Sequence, residues 1–120
     1  MKPLNAVLAQ NQVEILCASL RDHFKSISVA GNWEELRTSV PRSRADVAIL
    51  DLELVDFHQI EQLRREFPEL IIVCTHRLAD EDIWTRALSA GAQDCCHPSD
   101  VRAIVHAANR TVVMSRTSAA

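Results

Sequence analysis

The sequence predicts a single α/β domain in which a five-stranded parallel sheet is covered by helices on both faces. Three observations carry that expectation. The runs Val47-Ala48-Ile49-Leu50 and Leu70-Ile71-Ile72-Val73-Cys74 are short and wholly apolar, the pattern of strands buried on both faces. Around them, apolar residues recur at helical spacing behind Asn, Asp or Ser, the residues that start helices. Strand and helix patterns alternate in units of a little over 20 residues, and 120 residues are one domain's worth of chain. Such alternation calls for a parallel sheet between two helical layers.

Leu4 to Ala9 reads as the first strand, closed by Gln10-Asn11-Gln12. Val13, Leu16, Cys17, Leu20 and Phe24 then fall on one helical stripe. Ile27 and Val29 alternate with polar residues up to Gly31, as in a second strand near an edge. Asn32 and Glu35 have capping-box spacing, Trp33, Leu36 and Val40 line the helix they begin, and Pro41 stops it. A polar turn rich in Arg and Ser leads into the third strand, which ends on Asp51. Asp56 and Gln59 repeat the capping spacing ahead of Ile60, Leu63 and Phe67, and Pro68 ends that stripe.

The fourth strand, Leu70 to Cys74, is closed by Thr75-His76. Asp80-Glu81-Asp82 places negative charge where a helix dipole favours it. Ile83, Trp84, Ala87 and Leu88 form the buried side of that helix, and Gly91 is its C-terminal cap. Ala92 to Cys96 makes the last strand. Ser99 or Asp100 caps a final helix that turns Val101, Ile104, Val105, Ala108 and Val112 inward. Residues 1–115 read as the domain and 116–120 as a flexible tail or the start of a linker.

Composition narrows the function classes. A net charge of -3 supplies no electrostatic reason for direct nucleic-acid binding or attachment to an anionic membrane. No apolar run approaches the ~20 residues of a membrane helix, and Met1-Lys2-Pro3-Leu4-Asn5 has no signal-peptide core, so the expected location is cytoplasmic. The four cysteines lack C-x-x-C spacing and read as small apolar residues in a reducing compartment.

In a doubly wound sheet of order 2-1-3-4-5, the ends of strands one and three are neighbours, and ligands bind at that edge. Gln10 and Asn11 then lie beside Asp51, with Thr75, Cys96, His97 and Pro98 on the same rim. With Asp46-Val47-Ala48-Ile49-Leu50-Asp51-Leu52, Ile71-Ile72-Val73-Cys74-Thr75 and Ala90-Gly91-Ala92-Gln93-Asp94, nearly the whole chain resembles response-regulator receiver domains, of the flavodoxin-like, CheY-like fold.

The resemblance implies that Asp51 accepts a phosphoryl group from a sensor histidine kinase, and that Thr75 is the hydroxyl that contacts it and couples it to a conformational shift. It also implies partners among signalling proteins and a homodimer face on the fourth helix, fifth strand and fifth helix. Three departures from the family pattern stand out. The acidic pair that holds Mg²⁺ is replaced by Gln10-Asn11, which leaves Asp51, Asn11, Gln10 and the backbone carbonyl of Glu53 as donors of a weakened magnesium site. The Lys before the last Pro is replaced by His97, or by Pro98 if no gap is allowed, so a permanent ammonium is missing. Cys95 stands where the family carries an aromatic switch residue. The expected protein is therefore an atypical receiver, regulated by protein contacts as much as by phosphorylation.

An enzyme reading competes with this one. Cys96 and Arg102 satisfy C-x5-R between a strand and a helix, as in cysteine-dependent phosphatases. That loop contains Asp100 and no glycine, and Ala103 follows the arginine where a hydroxyl is common, so the spacing reads as chance. A metal held by His76, His97 and Asp51 is a weaker alternative, since rim histidines are more often solvated.

Overall fold

In the computed structural model, residues 4–10, 13–78 and 80–109 are described. Their strands are β1 (Asn5–Ala9), β2 (Ser26–Val29), β3 (Val47–Asp51), β4 (Ile71–Thr75) and β5 (Asp94–Cys96). They form one parallel sheet in the order β2-β1-β3-β4-β5. The helices are α1 (Val13–Leu20), α2 (Trp33–Arg42), α3 (Phe57–Glu66), α4 (Glu81–Ala90) and α5, helical over residues 101–109. No helix among the described residues is long and apolar enough to cross a membrane.

Strand alternation divides the core in two. Ala6, Leu8, Val47, Ile49, Ile71, Val73 and Cys96 pack with Leu16 and Leu20 of α1 and Ile104, Ala107 and Ala108 of α5. Val7, Ala9, Ala48, Leu50, Ile72, Cys74 and Cys95 pack with Leu36 and Val40 of α2, Ile60 and Leu63 of α3, and Ala87 and Ala90 of α4. Each fully buried Leu or Ile contributes ~1.5–3 kcal/mol of transfer free energy. Side chains two residues apart on a strand therefore share a layer, and that parity also orients the strand ends.

The caps follow the local sequence. Asp56 and Gln59 form a complete capping box, with Asp56 Oδ1 accepting from the Gln59 N–H at 2.8 Å and Gln59 Oε1 from the Asp56 N–H at 3.0 Å. Asn32 accepts from the Glu35 N–H, but Glu35 reaches back to the N–H of Gly31, one residue before the cap. Asp100, rather than Ser99, caps α5 by accepting from the Ala103 N–H.

Several expected boundaries shift. Phe24 is not on the α1 stripe: the helix gives way to a 3-10 turn at Arg21–His23, and Phe24 is extended, yet buried in the same layer. Pro41 does not stop α2 but sits in its last turn. The stop comes at Arg44, whose positive φ of 53° accompanies bonds from the Arg44 N–H to Pro41 O and the Ala45 N–H to Val40 O. β4 begins one residue later than Leu70 and includes Thr75, and β5 is shorter than Ala92 to Cys96. Trp84 is 43% exposed instead of buried, because Ala87 and Ala90 take the inner face of α4. Val112 and the 116–120 tail lie outside the described residues.

Candidate functional site

The residues that close β1, β3 and β4 meet at the C-terminal edge of the sheet. Register pairs Ala9 with Leu50 and Asp51 with Thr75, so Gln10, Asp51 and Thr75 make the next row. They share the parity of Leu8, Ile49 and Val73, which places the row on the α1 and α5 side. Thr75 is fully buried, and Gln10 and Asp51 are each 7% exposed.

The Gln10 carboxamide is held at both ends. Its Nε2 donates to the Ile49 carbonyl at 3.3 Å, and its Oε1 accepts from the Thr75 hydroxyl at 3.2 Å. Both bonds are somewhat longer than is usual for their kinds. The groups are buried, so leaving one of them unpaired would cost more than the bond itself contributes. Because β3 lies between β1 and β4, the Gln10–Thr75 bond crosses the strand end that carries Asp51.

Asp51 is fixed by its own loop. Its Oδ1 accepts from the Glu53 N–H at 2.8 Å, its backbone carbonyl accepts from the N–H groups of Leu54 and Val55, and the Leu52 N–H donates to Thr75 O at 3.0 Å. The contribution of Glu53 is thus a backbone donor on Asp51, while its side chain faces Arg77 of the β4–α4 loop at 3.9 Å. Both side chains of that pair are well exposed, so the pair adds little stability. Sequence reasoning did not single out Arg77. Its place two residues past Thr75, on the same edge, was the available signal.

His97 is exposed, and its Nδ1 accepts from the Ser99 N–H at 3.1 Å and lies 2.8 Å from the Ser99 hydroxyl. Nδ1 is thus engaged by its own loop, and an imidazole here is not a permanent ammonium. His76 accepts the Leu78 N–H at its Nδ1, and its own N–H joins the loop to Cys96 O at 3.0 Å.

A magnesium ion takes hard oxygen donors in octahedral array. Among the described residues no group of three or more His, Cys, Asp or Glu side chains could hold a metal. Asp51 supplies one carboxylate, and Gln10 Oε1 is already engaged by Thr75. Asn11 lies outside the described residues.

Cys95 is buried in the α2–α4 layer, and burial pushes its thiol up to about 11, with Asp94 and Asp80 adding to the rise. Cys74, its register partner on β4, is raised further, first by burial and then by the neighbouring Cys95 and Cys96. The phosphatase spacing does not assemble into a site. Cys96 is buried in the layer under α5, whereas Arg102 is exposed, so the thiol does not face a phosphate-binding loop.

No family model and no curated protein matches the chain. Solved structures do. NtrX from Brucella abortus, crystallised with ADP, superposes with a TM-score of 0.82 at 15% identity over 98% of this chain and 29% of its own. This chain therefore spans less than a third of that protein. The signal receiver domain of the DNA-binding response regulator merR from Colwellia psychrerythraea 34H gives 0.76 at 18% identity, over 91% of this chain and 98% of that one. A Burkholderia pseudomallei response regulator, solved with a phosphorylated aspartic acid, a calcium ion and citrate, gives 0.74 at 20% identity, over 97% and 73%. The fold of this chain is that of response-regulator receiver domains, with the expected strand order and a helix at each of the five expected places.

Proposed function

We propose that this chain is a receiver-like signal-transduction module of a two-component phosphorelay, with Asp51 as phosphoacceptor and regulation by protein contacts as much as by phosphorylation. One observation supports the reading above the others: Gln10, Asp51 and Thr75 form a single row at the C-terminal edge of the sheet. The switch hydroxyl and the acceptor carboxylate stand at the matching ends of adjacent strands, as the resemblance requires.

In the proposed reaction, a carboxylate oxygen of Asp51 attacks the phosphorus of a phosphodonor. An acyl phosphate forms as the bond from phosphorus to the donor breaks. Charge on the transferring oxygens has to be met by positioned donors and cations. Here the described surroundings offer the Glu53 N–H side of the loop and the exposed Arg77, while the Thr75 hydroxyl donates to Gln10 and the imidazole of His97 stands in place of an ammonium. Transfer is accordingly slow. The partners are a sensor histidine kinase or another cytoplasmic signalling protein, and a second copy through the α4–β5–α5 face. Trp84 lies on that face, its indole N–H donating to Asp94 Oδ1 at 2.9 Å.

Intact-mass spectrometry after incubation with acetyl phosphate tests this, with and without Mg²⁺, on wild type and Asp51→Asn. The expected result is a slowly formed single phosphoryl adduct that is absent from Asp51→Asn. No adduct under any condition removes Asp51 as acceptor and leaves a module that acts through protein contacts alone.

A further inference from the structure

We infer that the Gln10 carboxamide is a latch that keeps the Thr75 hydroxyl engaged with the end of β1, so that residue 10, and not the charge at residue 51, sets the conformation where β4 leads into α4. A threonine hydroxyl has one proton to donate. In this chain that proton goes to Gln10 Oε1 at 3.2 Å, across the strand end that carries Asp51. While the bond stands, the hydroxyl cannot also donate to an anion on Asp51.

The latch is anchored at its other end. Gln10 Nε2 also donates to the Ile49 carbonyl on β3, so turning the amide towards a new partner gives up that bond as well. Thr75 is wholly buried and Gln10 nearly so, which keeps water from replacing either bond at low cost. A carboxylate at position 10 would accept from Thr75 but could not donate to Ile49 O. The amide is the side chain that does both.

Thr75 is also tied to the Asp51 loop through its carbonyl, which accepts from the Leu52 N–H. Fixing its side chain to β1 therefore fixes the start of the loop that carries His76 and Arg77. Gln10 is a positioning residue in this scheme, acting on the output end of β4 through Thr75. That Asp51 ever carries a phosphoryl group belongs to the receiver-like reading; the bond between residues 10 and 75 does not depend on it.

The test needs no phosphodonor. Urea unfolding of wild type, Gln10→Ala, Thr75→Val and the double variant measures the coupling between the two side chains. One buried hydrogen bond gives a coupling of about fivefold in the unfolding equilibrium constant. Thr75→Ser keeps the hydroxyl and is expected to retain that coupling with Gln10, which a purely volumetric role of Thr75 would not produce. Amide ¹H–¹⁵N spectra of the same proteins read the conformational claim. Gln10→Ala and Thr75→Val are each expected to move the resonances of residues 76–88, while Asp51→Asn leaves them in place. Independent effects in the unfolding cycle overturn the latch. So does a shift of residues 76–88 in Asp51→Asn as large as that in Gln10→Ala. Failure of acetyl phosphate to label Asp51 would affect only the phosphorelay reading.

Discussion

Gly91 and Arg44 occupy the same position of the same helix-ending motif. After α4 the Gly91 N–H donates to Leu88 O and the Ala92 N–H to Ala87 O; after α2 the Arg44 N–H donates to Pro41 O and the Ala45 N–H to Val40 O. Both are Schellman closures, which need a residue at positive φ. Gly91 meets that need at φ 119° without strain, whereas Arg44 adopts φ 53° with a Cβ in the way.

Gly91→Ala is therefore expected to be costly. A Cβ at position 91 would lie 3.1–3.2 Å from Arg64 side-chain atoms, and the backbone there suits L residues poorly. Arg64 has little room to yield, since it donates to the carbonyls of Pro68 and Gly91 at 2.8 and 2.9 Å. Urea denaturation should show a loss of about 1–3 kcal/mol.

Arg44→Gly is expected to change stability in the opposite direction. Relief of the left-handed conformation outweighs the extra freedom that glycine gives the unfolded chain, for a net gain of about 0.5–1 kcal/mol. Circular dichroism on heating should show a higher midpoint for the variant.

Asp56→Ala removes the acceptor for the Gln59 N–H and breaks the reciprocal box at the start of α3. The expected loss is about 1 kcal/mol. Gln59→Ala leaves the aspartate cap in place and should cost less. Chemical denaturation of both variants gives the ranking, and equal losses would show that the two arms of the box are inseparable.

Stability should fall at high pH through the buried thiols. Folding favours the neutral form of Cys95, whose pKa rises to about 11 from an ordinary 9.0. The stability this contributes is complete below pH 9 and is lost as pH rises through about 11, because only the unfolded chain releases the proton in that window. The slope is about 1.4 kcal/mol per pH unit for each such thiol. Cys74 shifts in the same direction and adds its own proton. Cys95→Ala should reduce the pH dependence of the urea midpoint between pH 9 and 11.

Much of the architecture was legible along the chain. The apolar runs of β3 and β4 are buried at every position, and the capping residues Asn32, Asp56 and Asp80 each accept from an N–H in the first turn of the helix they precede. These features depend on residues a few positions apart, so local sequence carries them. The end of α2 was less legible. Pro41 looked like the stop, yet a proline in the final turn disrupts little of the helix that remains, and closure fell to an arginine in a conformation usually left to glycine.

The site was legible only as a set of residue types. By itself the sequence determined that Asp51 ends a buried strand, that Thr75 ends the next, and that an amide stands after the first, because strand periodicity and burial are written into neighbouring residues. Tertiary structure alone decided what those side chains do to one another. The Gln10–Thr75 bond joins residues 65 positions apart across an intervening strand. Its existence depends on register, on side-chain parity, and on a burial deep enough to make water a poor substitute, and none of these belongs to any one stretch of sequence.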